Sequence, residues 1–124
     1  MSGSIFISYS RKDRAQVDEL TQLLKKSNFT HIWYDQQLTG GVHWWSSILQ
    51  QIRDADVVLL AVSSHSINSP ACQREYRYAL ALHKVVIPLR IEASYNASQL
   101  PADLQALNMV DFLKADLLPV IAAI

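Results

Sequence analysis

Glu75 is the residue whose type and position most favour chemistry. It follows Ser69 and Pro70, which are typical of a helix start because serine caps a helix and proline suits its first turn. At about 100° per residue, Glu75 would flank an apolar stripe on that helix and point across the end of a sheet. The stripe consists of Cys72, Tyr76, Ala79, Leu80 and His83. Because a helix dipole also favours a carboxylate near its positive end, a purely structural role stays open beside a functional one.

A polar and basic segment at residues 8–13 is the second candidate region, and it follows the first apolar run of the chain. Arg11 and Lys12 are suited to holding phosphates, and the hydroxyls of Ser8, Tyr9 and Ser10 to binding a ribose or a base. Solvated cations and hydroxyls that satisfy backbone groups are the alternative interpretation of the same residues.

Two adjacent tryptophans and a lone cysteine complete the candidates. One of Trp44 and Trp45 is expected to pack in the core, and the other could stack on a ligand ring. The four histidines lack the spacing of metal ligands and Cys72 is the only thiol, so no metal site is predicted. Cys72 is interpreted as a small buried hydrophobe, since a nucleophilic role would require a neighbouring histidine.

The hydrophobic pattern predicts the scaffold that must position these residues. Apolar runs predict strands at residues 5–7, 30–34, 56–62, 85–89 and 109–112. Helical patterns occur at residues 13–27, 44–53, 70–83 and 115–124. Residues 63–69 are predicted to be a loop, Asp13 to cap the first helix, and Pro88 to lie near an end or edge of its strand. Strands that alternate with helices predict a parallel α/β sheet with helices on both faces.

Composition limits the class of protein. The chain has 124 residues, and 50% of them are hydrophobic. Residues 1–124 are therefore predicted to form a single globular domain, which could be excised from a longer multidomain protein. Eleven basic and eleven acidic residues give no net charge, which argues against a nucleic-acid partner. No apolar run approaches the roughly 20 residues of a membrane span, and no signal peptide is apparent. A cytoplasmic protein without a membrane partner is therefore expected.

Other proteins with this outline place ligands beyond the carboxyl ends of their strands, where the strand order reverses. A response-regulator receiver needs an acidic pair after the first strand and an aspartate after the third, but Ser8-Tyr9 and Ser63 occupy those places. The P-loop motif is absent. The segment at residues 10–13 has no glycine and fits a flavodoxin phosphate loop poorly.

Four segments, in register, resemble the motifs of TIR (Toll/interleukin-1 receptor) domains. They are Phe6–Asp13, Gly41–Trp44 with Ile48 and Ile52 after it, Ser69–Glu75, and Val86–Leu89. Together they cover residues 4 to about 112. The resemblance implies a flavodoxin-like TIR fold with five parallel strands in the order 2-1-3-4-5. The switch point would then lie between the first and third strands, beside Tyr9, Arg11 and Glu75.

The resemblance also implies two alternative functions. Some TIR domains, including many bacterial ones, cleave NAD+ at the nicotinamide–ribose bond as hydrolases or cyclases, becoming active on self-assembly in immune or defence signalling. Others are non-catalytic modules that assemble with further TIR domains. If this chain is one of the enzymes, Glu75 would be its catalytic residue and NAD+ its substrate, and no cofactor would be needed. The implied substrate-binding residues are Ser8, Tyr9, Ser10, Arg11, Asp35 and Trp44. The implied interaction loop, which contacts a neighbouring TIR domain, is Leu38, Thr39, Gly40, Gly41, Val42 and His43.

One position departs from the NAD-cleaving pattern. Several such members carry a tryptophan four residues before the glutamate, where this chain has Ala71. The missing ring would weaken stacking on nicotinamide or change the product, and Trp44 or Trp45 is expected to be the replacement if there is one. The loop before the second predicted helix also lacks the proline typical of animal receptor adaptors, which favours the bacterial type.

Overall fold

Five strands form one parallel sheet in the computed structural model, which describes residues 4–29, 31–34, 42–113 and 116–124. The strands are β1 (Ser4–Ser8), β2 (His31–Trp33), β3 (Val57–Val62), β4 (Val85–Arg90) and β5 (Val110–Asp111). Their order is β2-β1-β3-β4-β5 and every pairing is parallel. The predicted order is confirmed, and the switch point lies between β1 and β3.

Helices cover both faces of this sheet. They are α1 (Arg14–Lys26), α2 (Val42–Asp54), α3 (Ser64–Ile67), α4 (Pro70–Ala81) and α5 (Leu118–Ala123). The buried residues of α1 and α5 pack with one face of the sheet, and those of α2 and α4 pack with the other. None of the described helices is long and apolar enough to cross a membrane.

The central position of β3 in the sheet explains why its sequence is apolar throughout. All six of its residues are buried. Leu59 and Ala61 pack on the side of α1, whereas Val58 and Leu60 pack on the side of α2 and α4. Successive side chains of a strand point to opposite faces, so a strand that is covered on both faces needs an apolar residue at every position.

Helix boundaries differ from the sequence expectation at several places. Residues 63–69 were expected to be a loop, but Ser63 and Ser66 cap each other's backbone and start the short helix α3. The last helix begins at Leu118 rather than at residue 115. Helix α4 ends at Ala81, because His83 adopts a positive φ of 59° beyond it.

The apolar stripe on α4 is shorter than predicted, because the helix ends before His83. The backbone N–H groups of His83 and Lys84 donate to the carbonyls of Leu80 and Ala79, which is the Schellman arrangement that closes a helix. The stripe therefore stops at Leu80, and His83 is exposed rather than part of the buried face.

Pro88 lies inside β4 and pairs with Leu60 of β3. On the other side, β5 pairs only with Leu89 and Arg90. Among the described residues, Pro88 thus has a strand on one side only, so its missing N–H is tolerated. The predicted position at an end or edge is therefore only partly met, because Pro88 is the fourth of the six residues of β4 and β4 is not an edge strand.

Candidate functional site

A cavity of about 380 Å³ opens above the carboxyl end of β1, at the switch point. This volume is in the range of small-molecule sites. It is lined by Phe6, Ile7, Tyr9, Ser10, Arg11, Lys12, Trp33, Ser69, Ala71 and Glu75. The sequence candidates Tyr9, Ser10, Arg11 and Glu75 are thus brought together by segments that are far apart in the chain.

Glu75 forms the polar floor of this cavity, and the buried Ser8 at the end of β1 holds its side chain. The Ser8 hydroxyl donates a hydrogen bond of 2.6 Å to Oε1 of Glu75. Ser8 is 0% exposed and Glu75 is 9% exposed. A buried carboxylate is costly unless donors compensate it, so this hydrogen bond both stabilises and orients the Glu75 side chain.

The placement of Glu75 on α4 helps to separate its two interpretations. Ser69 caps the helix and Pro70 is its first residue, so Glu75 is the sixth and lies in the second turn. The effect of a helix dipole is concentrated in the first turn. The helix dipole alone therefore does not account for Glu75, which is buried and hydrogen-bonded to Ser8 of β1.

Cys72 lies one turn before Glu75 and is also buried. Burial, and then the negative charge of Glu75, raise the pKa of the Cys72 thiol to about 11. The thiol is consequently protonated at neutral pH, which agrees with the structural role expected for it.

Cys72 in the folded protein is expected to resist alkylation. A pKa near 11 instead of 9.0 lowers the thiolate fraction about 100-fold at neutral pH, and burial blocks access as well. Iodoacetamide labelling followed by mass spectrometry should be slow in buffer and rapid in urea. Equal rates in the two conditions would contradict the buried position.

The mouth of the cavity is basic. Arg11 and Lys12 are exposed and belong to a 3-10 turn, Arg11–Asp13. Ser10 caps that turn, since its hydroxyl oxygen accepts from the backbone N–H of Lys12. Tyr9 packs beside Tyr34, with the ring centroids 6.3 Å apart. Two cations at the rim favour an anionic ligand.

An aromatic wall stands on the side of β2. Trp33 stacks on Phe6 with ring centroids 5.1 Å apart and planes 11° apart, and both rings line the cavity with Ala71. Sequence reasoning did not single out Trp33, although its place at the end of the strand beside β1 was the available signal. Trp33 and Trp45 both pack against the core, but Trp45 does not line the cavity, and the Arg74 guanidinium lies 4.9 Å from its ring centroid.

Asp13 joins the loops that follow β1 and β3. It occupies the expected N-cap position of α1, but its side chain makes no capping hydrogen bond there. The carboxylate instead accepts a hydrogen bond of 2.5 Å from the hydroxyl of Ser63. Both side chains are buried, so this contact fixes the basic turn against the end of the central strand.

The remaining sequence candidates lie partly outside the described residues. These are Asp35, Leu38, Thr39, Gly40 and Gly41. Val42, His43 and Trp44 form the start of α2, which begins two residues earlier than expected, but their side chains are not described. The interaction loop therefore stays a prediction. Within the described parts of the chain, no group of three or more His, Cys, Asp or Glu side chains could hold a metal ion.

Comparison with known proteins agrees with the strand order. The chain is similar to the TIR domain of a Toll-related receptor from Hydra magnipapillata, with a TM-score of 0.73 and 16% identity over 96% of this chain and 91% of that one. It is also similar to a 2-desoxiribosyltransferase from Leishmania mexicana, with a TM-score of 0.56 and 20% identity over 73% of this chain and 65% of that one. At these identities the similarity is one of fold.

Sequence families give the more specific result. No curated protein sequence matches the chain. The model of the TIR domain family, however, matches residues 5–118, which is most of the chain and includes β1, α4 and the cavity between them. The chain belongs to the TIR domain family.

Proposed function

We propose that this TIR domain cleaves NAD+ between nicotinamide and ribose, with Glu75 as its catalytic residue. The observation that carries the proposal is the Glu75 carboxylate, held by Ser8 on the floor of a cavity with a basic rim. Membership of the family supports a signalling role through contacts between TIR domains. The enzymatic activity would add to that role in a cytoplasmic, bacterial-type defence protein that is active when assembled.

The chemistry needs one carboxylate rather than two. Ordinary glycosidases use a second carboxyl group to protonate the leaving group. The nicotinamide of NAD+ is a cationic pyridinium, so the electrons of the broken C–N bond neutralise it and no proton is required. Glu75 would hold a ribose hydroxyl and stabilise the positive charge that develops on the ribose. Attack by water then gives ADP-ribose, and attack by the adenine gives a cyclic product.

The rest of the cavity suits the other parts of NAD+. Arg11 and Lys12 at the rim would contact the diphosphate, since cations at a cavity mouth attract phosphate oxygens. Tyr9 and Ser10 would contact the ribose or base. Ser8 is fully buried and does not line the cavity, so we assign it to positioning Glu75 rather than to touching substrate.

The deoxyribosyltransferase similarity offers limited support. By its name, that enzyme transfers a deoxyribosyl group, a reaction at the bond between a sugar and its leaving group. Because the shared feature is the fold alone, the comparison indicates only that such a sheet can support this class of chemistry.

A non-catalytic module that assembles with other TIR domains is the second candidate. Ala71 favours it, because several NAD-cleaving members have a tryptophan at this position. A protein that binds NAD+ without turnover is a third outcome, and it would give a complex but no product.

Nicotinamide release decides among the three. The purified domain is incubated with NAD+ at high protein concentration with a crowding agent, and products are separated by chromatography. Release that depends on Glu75 supports the enzyme, and the second peak separates ADP-ribose from a cyclic isomer. Assembly confirmed by light scattering without release would overturn the enzymatic proposal and favour the module.

Ser8→Ala is expected to lower kcat about tenfold while KM for NAD+ changes little. The variant removes a hydrogen bond to a charged group, an interaction of about 1.5–3 kcal/mol, and leaves Glu75 less well oriented. Ser8→Thr, which keeps the hydroxyl, should restore most of the loss. A rise in KM with unchanged kcat would instead indicate that Ser8 touches substrate.

A further inference from the structure

We infer that Trp33 is the platform on which the planar base of the substrate stacks, in place of the family tryptophan that Ala71 replaces. The inference rests on the proposed function, and it assigns the base-binding side of the same cavity. It concerns a residue on β2, whereas the missing ring belongs to α4.

The position of Trp33 suits this role. It is half-buried and lines the cavity together with Glu75 and Ala71. Since all three border one space, a ring that lies against Trp33 remains within the cavity that holds the carboxylate. The absence of a large side chain at Ala71 leaves room for that ring.

Phe6 holds Trp33 in place. The two residues are directly opposite in the β1–β2 pairing, and their rings are stacked with planes 11° apart. Phe6 is 1% exposed, so the indole rests on a fixed support. A ring whose orientation is already set loses little conformational entropy when a ligand stacks on it.

The other described tryptophan has a different environment. Trp45 packs against the same core cluster as Trp33, but it lies under the Arg74 guanidinium and does not line the cavity. The sequence expectation named Trp44 or Trp45 as the replacement for the missing ring; the position of Trp45 does not support it, and the side chain of Trp44 lies outside the described residues. Trp45 is instead a matched control, because it is also a half-buried tryptophan of the same protein.

Packing alone is the alternative role of Trp33, because it contacts the core cluster and also borders a second cleft beside His31 and Asp54. The test must separate packing from stacking. Trp33→Leu keeps an apolar side chain without a ring, whereas Trp33→Phe keeps a smaller ring. Trp45→Leu removes a ring outside the cavity.

Steady-state kinetics give the first test. Trp33→Leu is expected to raise KM for NAD+ about tenfold, Trp33→Phe by less, and Trp45→Leu not at all, because stacking of a base on an aromatic ring contributes at about this level. Adding Ala71→Trp to Trp33→Leu should recover most of the loss, since the new ring lines the same cavity. An unchanged KM in Trp33→Leu while Glu75→Gln abolishes turnover would overturn the inference and leave the proposed function intact.

A binding measurement covers the cases in which there is no turnover or a variant fails to fold. The indole N–H signals of the wild-type protein are assigned by the Trp33→Phe and Trp45→Phe spectra, and NAD+ is titrated in. A shift of the Trp33 signal alone, even without turnover, supports the platform while the proposed function fails. A saturable shift of another tryptophan, or no shift of Trp33 at millimolar NAD+, overturns the inference.

Discussion

Glu75→Gln is expected to lower kcat for nicotinamide release by about three orders of magnitude, with a much smaller change in KM. The amide has nearly the same shape and its oxygen can still accept the 2.6 Å hydrogen bond from Ser8. The substitution therefore removes the charge while keeping the packing. Loss of one preorganised group that stabilises transition-state charge costs about 10²–10³-fold, and removal of a full charge lies at the upper end.

The matched control is Glu19→Gln on the exposed surface of α1. It makes the same chemical change far from the cavity and should leave both kinetic parameters unaltered. Thermal unfolding of both variants shows whether the fold is kept. A Glu75→Gln protein that is folded and retains wild-type turnover would remove Glu75 from the mechanism and, with it, the proposed catalytic site.

The sheet was predictable because its determinants are local. The three central strands β1, β3 and β4 contain short apolar runs, and β3 is buried on both faces, as its unbroken series of apolar residues indicates. Polarity was a poor guide to α3, where Ser63 and Ser66 satisfy each other's backbone N–H groups. The end of α4 was also misplaced. A histidine in the left-handed region, His83, ends this helix at the place where glycine is usual, so residue type gave no signal.

The site was predictable where topology alone brings residues together. Strand ends at a switch point place Tyr9, Arg11 and Glu75 around one cavity; the sequence pattern predicted the parallel sheet, and the resemblance to TIR domains implied the strand order that sets the switch point. Trp33 was missed because a tryptophan in a strand usually packs in a core, and the side-chain arrangement shows that it also lines the cavity. Likewise, the position of Asp13 predicted a helix cap, but its carboxylate accepts a hydrogen bond from Ser63, just beyond the end of β3.

That contact makes Asp13 a residue on which the whole fold should depend. Asp13→Ala is expected to lower the free energy of unfolding by about 2–3 kcal/mol. It removes a hydrogen bond to a charged group and leaves the buried hydroxyl of Ser63 without this acceptor. Asp13→Asn keeps an acceptor oxygen and should lose less. Urea unfolding measures the difference as a shift in midpoint at constant slope.

Asp18→Ala is the matched control, because Asp18 lies on the same segment of chain but is half exposed and 3.7 Å from Arg14. An exposed ion pair of this kind contributes less than about 0.5 kcal/mol. If both variants lose the same stability, the buried contact has no special role. If only Asp13→Ala is destabilised, its KM for NAD+ should also rise. The turn that carries Arg11 and Lys12 would then no longer be fixed against the end of β3, so the cations would contact the diphosphate less often.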